Sequence, residues 1–332
     1  MEGVTERTYR RVVLEENGPD VLGGTFTEFA RVSVNPLSTK VLVRHLNTEE
    51  VTGETRRPVG LQIMGHILEH VAATAENAIA SGAPLVDLNF GCPAKGAVRS
   101  CAGSGLLDHP PQIERMVRAV VDAVAGSLPV TAKIRAGGDD DSLLEDIAKA
   151  VEQGGASLLS IHCRTRKEKY ADTADWSRLI RAKQAVSIPV CGNGGVECHA
   201  DLERLRHETG CDYAMVARAA LRDPWIFSPT RPTPRDMLRF FHRYDELMSA
   251  DGLREPKRFA RWKQLLAQWT SCGWPHDEDH RKSWLRSKDL PTLQRSLADF
   301  AREPSTRAGP RKRRLPDRYA EGPRGGGASQ PK

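Results

Sequence analysis

The sequence predicts an α/β fold, a TIM (β/α)8 barrel, followed by a small all-helical domain and a disordered basic tail. Between about residues 20 and 220, short apolar runs alternate with longer segments of helical period. Apolar strands separated by helices are typical of a parallel sheet that is buried on both faces. After Pro224 this alternation stops, and only helical patterns follow. The chain has 332 residues, which is enough for a barrel of about 250 residues and a smaller second domain.

The strand pattern accounts for seven of the eight strands that a closed barrel needs. The seven apolar runs are VLGGTFTEFARV, VGLQIMG, LVDLNFG, PVTAKIRA, LLSIHCRT, PVCGNGGV and DYAMVAR. The chain opens with MEGVTERTYRR, which is typical of the loop and helix that follow a first strand. We therefore expect the first strand to be missing or truncated, and our hypothesis for this is a misplaced start codon.

The helical segments and the composition of the tail set the expected domain limits. Amphipathic stretches such as QIERMVRAVVDAVAG lie between the strands, whereas PRDMLRFFHRYDELMSA, REPKRFARWKQLLAQWTS and LPTLQRSLADFARE follow the last strand. The final segment is rich in Pro, Gly and Arg and cannot bury enough apolar surface to fold alone. We place the barrel at residues 1–228, the helical domain at 229–304 and the disordered tail at 305–332.

Composition argues against several classes of protein. No run approaches the ~18 apolar residues of a membrane span, and no basic-then-apolar leader opens the chain, so we expect a cytoplasmic protein without a membrane partner. The seven cysteines form neither a C-x-x-C pair nor a pattern of metal-ligand spacing. We therefore expect no disulfide framework and no metal. We also expect a monomer.

The charge balance gives a weak indication of nucleic-acid binding. The net charge is +6, and the whole excess lies between Thr306 and Lys332, in the tail. The rest of the chain carries equal numbers of acidic and basic residues. RNA affinity of the folded part would therefore have to come from charge collected on one face.

Polar residues follow several of the predicted strands, at the end of the barrel where functional groups lie. They are Asn89 to Pro93 (Asn-Phe-Gly-Cys-Pro), Lys133 with Arg135, His162 with Arg164, Asn193-Gly194-Gly195, and Ala217-Arg218. The backbone N–H groups of the glycines can bind a phosphate, and Arg218 adds charge there.

Three of these side chains suit the rest of a flavin. Lys133 and His162 could contact its ring and ribityl chain, where a cation stabilises the reduced anion, and Gln62 could bond the pyrimidine edge of the ring. Each residue alone is about as often a solvated or backbone-bonded side chain. Taken together, they favour a flavin site.

Several motifs resemble those of the tRNA-dihydrouridine synthases. VDLNFGCPAKGAVRSCAGSGLL resembles the signature of that family, and MEGVT, VTAKIRAG, IHCRT, CGNGG and MVARAAL match its other blocks in order. The resemblance spans Met1 to about residue 227. The segment KRFARWKQLLAQW is similar to the C-terminal domain of the bacterial C-type subfamily, whose target is the D-loop uridine numbered 16.

The resemblance implies an FMN-dependent oxidoreductase that uses NADPH and reduces uridine in tRNA to dihydrouridine. Hydride from the flavin reaches C6 of the uracil, and Cys92 of the N-x-G-C-P motif protonates C5. As an acid, Cys92 must remain a thiol, unlike a nucleophilic cysteine, which reacts as the thiolate. The implied FMN contacts are Met1, Glu2, Gly3, Gln62, Lys133, His162, Asn193, Gly194, Gly195, Ala217 and Arg218. Cys101 and Cys163 are interpreted as packing residues, and Cys163 and Ala217 replace glycines common in the family.

Binding of tRNA needs further contacts, because a stacked uracil must be flipped out at a cost of a few kcal/mol before a flavin can reach it. Arg254, Lys257, Arg258, Arg261 and Lys263 cluster around Trp262 and could bind phosphates. Arg31, Asn89 and Tyr170 are the candidates for base contacts at the barrel mouth. The alternative for the basic cluster is a solvated helix face, which most charge runs are.

Two other functions remain open from the sequence. A flavin barrel of the dihydroorotate dehydrogenase type also acts on a pyrimidine, but it needs neither the helical domain nor the basic cluster. A tRNA-binding protein that has lost its activity would keep the barrel, although the presence of Cys92, Lys133 and His162 argues against it.

Overall fold

The computed structural model of the protein describes residues 5–46, 57–168, 174–271 and 278–302. Its eight strand segments are β1 (Thr25–Phe26), β2 (Ala30–Arg31), β3 (Val59–Met64), β4 (Val86–Phe90), β5 (Val130–Arg135), β6 (Leu158–His162), β7 (Val190–Asn193) and β8 (Tyr213–Met215). Each segment lies within one of the seven predicted runs, and the first run contributes both β1 and β2.

The strands form the parallel sheet of a TIM barrel. The order is β1-β3-β4-β5-β6-β7-β8, and β2 also pairs with β3. Because Thr25 is opposite Val59 and Ala30 is opposite Ile63, β1 and β2 are successive parts of one strand position. Among the described residues, β8 pairs only with β7, and β1 and β2 pair only with β3. The described part of the sheet thus contains the seven strand positions that the sequence predicts.

Helices precede and connect the strands. They are α1 (Arg7–Glu16), α2 (Thr39–His45), α3 (Leu68–Ala80), α4 (Lys95–Arg99), α5 (Pro110–Val124), α6 (Leu144–Gln153), α7 (Ser177–Ala185), α8 (His199–Thr209) and α9 (Arg218–Arg222). In α5 the buried residues Ile113, Val117, Val120 and Val124 recur at helical spacing and form one apolar stripe. The predicted βα alternation is therefore confirmed, and it places the carboxyl ends of all strands at one end of the sheet.

In the described residues, four more helices follow α9: α10 (Pro234–Ala250), α11 (Glu255–Leu266), α12 (Glu278–Leu285) and α13 (Leu290–Arg302). The sequence predicts three of them and misses α12. Thr233 and Asp236 form a capping box that starts α10. Edge-to-face contacts of Tyr9 in α1 and of Trp225 with Phe240 in α10 join these helices to the barrel. Buried residues of the barrel and of these helices belong to one hydrophobic cluster. The domain limit at residue 228 stays a prediction.

Some predictions fall outside the described residues. These concern Met1, Glu2 and Gly3 as flavin contacts, Tyr170 as a base contact, and the disordered tail. Within the described ranges, no helix is both long and apolar enough to span a membrane, and no group of His, Cys, Asp or Glu side chains could hold a metal ion.

Candidate active site at the carboxyl ends of the strands

A buried hydrogen-bond network runs from the barrel interior toward the end of β4. Thr131 Oγ1 donates to Asp87 Oδ1 (2.6 Å), and Gln62 Nε2 donates to Asp87 Oδ2 (2.6 Å). Asn89 Nδ2 then donates to Gln62 Oε1 (2.7 Å). The parallel register sets the network up, because it places Gln62 beside Asp87 and Asp87 beside Thr131 on neighbouring strands.

The loop that carries Cys92 is held at its backbone. Asn89 Oδ1 accepts hydrogen bonds from the N–H groups of Gly91 (2.9 Å) and Cys92 (3.0 Å). The carbonyl of Cys92 accepts from both the N–H (3.0 Å) and the hydroxyl (2.9 Å) of Ser104. Arg135 Nε donates to the carbonyl of Gly91 (2.7 Å). The backbone N–H and C=O groups of Gly91 and Cys92 therefore all have partners.

The thiol of Cys92 is half-buried and packs beside Met64, Ala97 and Ala102. Gly103 lies against it with φ +56°, and a Cβ there would come within 2.9 Å of the Cys92 carbonyl oxygen. Only glycine fits this position, since the conformation and the space both exclude a side chain. Cys101, the rival cysteine of this loop, is exposed at φ 51°.

Lys133 and His162 stand on neighbouring strands, and burial acts on both. Loss of hydration lowers the pKa of Lys133, and the nearby Asp87 carboxylate partly offsets this effect. Lys133 is partly exposed as a residue, and its ammonium group has no hydrogen bond or ion pair with any described residue. Loss of hydration and the surrounding cations, Lys133 first, lower the pKa of His162 to about 2, so its ring is neutral at physiological pH.

Two glycines, Gly194 and Gly195, follow β7. Gly194 and Gly195 have φ values of +119° and +76°, and Cβ atoms there would approach Cys163 Sγ (2.7 Å) and the Ala174 Cβ (2.6 Å). Two glycines are thus required for close packing, and Gly195 is exposed. Asn193 Nδ2 donates to the carbonyl of Met215 (2.7 Å) and ties β7 to β8. After β8, Ala217 precedes α9, and Arg218 is exposed.

Cys163 is completely buried, so it does not project into the barrel mouth. Burial raises the pKa of its thiol to about 11. This agrees with its interpretation as a packing residue, since a thiol in an apolar environment stays protonated.

The predicted basic cluster has two kinds of member. Arg254, just before α11, and Lys257 on α11 are exposed. Arg258 Nη1 instead donates to Asp245 Oδ2 (2.8 Å), and Lys263 Nζ donates to the carbonyl of Ser287 (3.1 Å). Arg261 Nη1 lies 3.1 Å from Gln264 Oε1 and 3.7 Å from Glu6 Oε2. Three of the candidate RNA contacts are thus already engaged within the protein.

Arg31, the candidate base contact at the mouth, lies beside the loop of Cys92. It is exposed, and its Nη2 is 3.9 Å from where a Cβ on Gly96 of α4 would be.

Sequence reasoning missed several residues that support the Cys92 loop. Asp87, Thr131 and Ser104 were not singled out, and Arg166 joins them because its guanidinium donates to the carbonyl of Ser104 (3.0 Å) and to Asp108 (2.8 Å). A buried aspartate inside an apolar strand was the available signal for Asp87, because such a group needs polar partners. No local signal marks the other three.

A parallel barrel with a half-buried cysteine, an unpartnered lysine and a glycine pair at one mouth belongs to the class of cofactor-binding barrel enzymes. The family model described as "Dihydrouridine synthase (Dus)" matches residues 1–241. The chain belongs to this family of flavin-dependent enzymes.

The names of the curated relatives agree with this family assignment. A tRNA-dihydrouridine(16) synthase of Cupriavidus necator is 38% identical over 68% of this chain and 70% of its own. Proteins of the same name are 38% identical in Shewanella oneidensis, over 80% of this chain and 86% of theirs, and 34% identical in Vibrio vulnificus, over 81% and 86%. Among solved structures, FabK from Thermotoga maritima covers 72% of this chain and 61% of its own at 13% identity, with a TM-score of 0.42, which is too weak a likeness to argue from.

Proposed function

We propose that this enzyme reduces the D-loop uridine at position 16 of tRNA to 5,6-dihydrouridine, with tightly bound FMN, with NADPH as reductant and with Cys92 as the proton donor. The observation that carries the proposal is the Cys92 loop, in which a half-buried thiol is held by backbone hydrogen bonds on both sides. The names of the curated relatives support tRNA and position 16. A cytoplasmic monomer is part of the proposal.

The residues at the barrel mouth fit FMN. Lys133 offers an ammonium group without a protein partner among the described residues, which suits an anionic ligand or a ring that becomes anionic. Gly195 of the glycine pair after β7 is exposed, and Arg218 adds positive charge for a phosphate. Gln62 and the neutral His162 would complete the contacts. FMN, when bound, supplies the hydride for C6 of the uracil and is recharged by NADPH.

The task of Cys92 is to deliver one proton to C5 of the base. A thiol can do so only while it carries its proton and lies within hydrogen-bond reach of the acceptor carbon, so its position has to be fixed. Asn89, Ser104 and Arg135 fix the backbone on both sides of it. General acids of this kind contribute about 10² to 10⁴ in rate.

The tRNA would be held by phosphate contacts that offset the flipping of the base. Arg254, just before α11, and Lys257 on α11 are the exposed candidates. Arg258, Arg261 and Lys263 already have partners inside the protein and could only share their remaining N–H groups with RNA. Arg31 and Asn89 remain candidates for base contacts.

The test is mass-spectrometric mapping of dihydrouridine after the holoenzyme is incubated with NADPH and unmodified tRNA. We expect product at position 16, and a loss of about 10³-fold in rate for Cys92→Ala with NADPH oxidation retained. Cys101→Ala is the matched control in the same loop and should keep wild-type activity. A protein that oxidises NADPH but leaves every tRNA uridine unchanged would overturn the proposal. Product at another uridine would overturn the position alone.

A further inference from the structure

Two side-chain amides of the site have a hydrogen-bond direction that is fixed from both ends. At the outer end, Asn89 Oδ1 accepts from the N–H groups of Gly91 and Cys92, and a backbone N–H can only donate. Asn89 must therefore turn its NH2 group toward Gln62. At the inner end, Gln62 Nε2 donates to Asp87 Oδ2 at 2.6 Å. The two requirements agree, because Gln62 Oε1 then faces Asn89 Nδ2 at 2.7 Å.

Among the described residues, Asp87 is the only group that fixes the inner end of this chain of amides. Its side chain has no exposed surface, and its second oxygen accepts from Thr131 Oγ1. An amide such as Gln62 can rotate by 180° and exchange its oxygen and nitrogen at little steric cost. If Gln62 rotated, its oxygen would face Asp87 Oδ2, and its NH2 group would face the NH2 group of Asn89. Acceptor would then meet acceptor and donor would meet donor.

We propose that Asp87 is a positioning residue for the proposed reaction: its carboxyl group sets the direction of the Gln62 and Asn89 amides and thereby holds the loop of Cys92 in place. The inference rests on the proposed function for its catalytic meaning, but its structural part does not. Its direct consequence is that Asn89, whose oxygen is used twice, keeps only one N–H for a ligand. A base edge contacting Asn89 must therefore offer an acceptor, such as a ring carbonyl.

The positioning role proposed for Asp87 does not require its negative charge. A carboxyl group with a proton on Oδ1 could donate to Thr131 and still accept from Gln62 on Oδ2, since the threonine hydroxyl both donates and accepts. An asparagine at position 87 could do the same, with its NH2 group toward Thr131 and its oxygen toward Gln62. A leucine at this position has the same branching, bulkier methyl groups and no acceptor. Asp87→Asn therefore separates hydrogen-bond direction from charge, and Asp87→Leu removes the acceptor.

The first measurement is independent of the reaction. The holoenzymes are treated with iodoacetamide, and alkylation of Cys92 is followed by peptide mass spectrometry, with the exposed Cys101 of the same protein as internal reference. We expect the rate at Cys92 relative to Cys101 to change at least fivefold in Asp87→Leu and to stay within twofold of wild type in Asp87→Asn. Equal rates in all three proteins would overturn the proposal.

The second measurement uses tRNA reduction. We expect kcat to fall about 10²-fold in Asp87→Leu, since small displacements of a catalytic group have effects of that size, with KM for tRNA within threefold of wild type. Asp87→Asn should keep at least a third of the wild-type kcat. Equal losses in both variants would mean that charge is what counts and would overturn the proposal. If wild type itself reduces no uridine, the proposed function has failed, whereas the alkylation result still decides the role of Asp87.

A fold control guards against simple destabilisation. Thr131→Val removes a buried hydrogen bond to the same carboxyl group but leaves the oxygen that faces Gln62. Should Asp87→Leu fail to fold, Thr131→Val still tests the idea. We expect it to lower the melting temperature while the alkylation rate of Cys92 stays within twofold of wild type. A rate that rises in proportion to the loss of stability would instead indicate a purely structural network and would overturn the proposal.

Discussion

The barrel mouth and helix α11 both present basic side chains, yet they differ in what those side chains contact. At the mouth, Lys133 is partly exposed and has no hydrogen bond or ion pair with a described residue. On α11, Arg258 and Lys263 bind Asp245 and the carbonyl of Ser287. A strand-end lysine without a partner is available to a ligand, whereas a helix-borne arginine that meets a half-buried carboxylate serves packing. A cluster of basic residues in sequence does not distinguish the two.

Among the predictions that test this comparison, the largest effect is expected for Arg258. Its guanidinium lies 2.8 Å from Asp245, and the side chains are only 18% and 13% exposed. Removal of one partner leaves a poorly hydrated charge, so we expect Arg258→Met to lower the free energy of unfolding by about 3 kcal/mol. Urea denaturation measures this. Arg302→Met, which removes an exposed pair with Asp299 on α13, is the control and should change the value by less than about 0.5 kcal/mol. Loss of tRNA affinity without loss of stability would assign Arg258 to the RNA instead.

Lys133 is expected to behave in the opposite way. Lys133→Met should leave the fold intact but raise the Kd for FMN about 30-fold, which corresponds to one hydrogen bond from a charged group. Fluorescence titration of the flavin-free protein measures the affinity. Lys183→Met on α7, which removes an ion pair with Asp212, is the matched control and should leave the Kd for FMN unchanged. Unaltered FMN binding by Lys133→Met would show that the free ammonium group serves another ligand.

His162 should make the mouth sensitive to acid. Its pKa lies at about 2 in the folded protein against 6.5 for a free histidine, so below pH 6.5 the unfolded chain binds a proton that the folded chain does not. Between pH 7 and pH 5 this removes about 2 kcal/mol of stability. His162→Asn should therefore lose that much less than wild type over the same interval. Denaturation at both pH values tests it, and parallel losses in the two proteins would contradict the lowered pKa.

The smallest expected effect belongs to Lys257. Because its side chain is exposed, Lys257→Ala should change stability by less than about 0.5 kcal/mol. Affinity for tRNA should fall about threefold, with a shallower dependence on salt, as for the loss of one phosphate contact. Filter binding at several salt concentrations measures this. Lys149→Ala, an exposed lysine on α6 of the barrel, is the control. Equal affinities for the two variants would remove α11 from the proposed interface.

Much of the site could be predicted because strand ends are visible in sequence. An apolar run that ends in Asn89 to Pro93, or in Asn193-Gly194-Gly195, fixes both the strand and the end at which its polar residues lie. The family assignment from the motif around Cys92 is confirmed. The roles of the individual site residues stay predictions. Helix α12 was missed because its segment has a weak apolar pattern with charged residues throughout.

The sequence alone determined the order of strands and helices, the seven strand positions and the family, since these depend on local apolar periodicity and on contiguous motifs. Only the tertiary structure decided which polar groups meet. Asp87 finds Gln62 and Thr131 across separations of 25 and 44 residues, and Arg258 finds Asp245 instead of solvent. Such contacts depend on strand register and helix packing, because a buried polar group takes whichever partner the fold brings within about 3 Å.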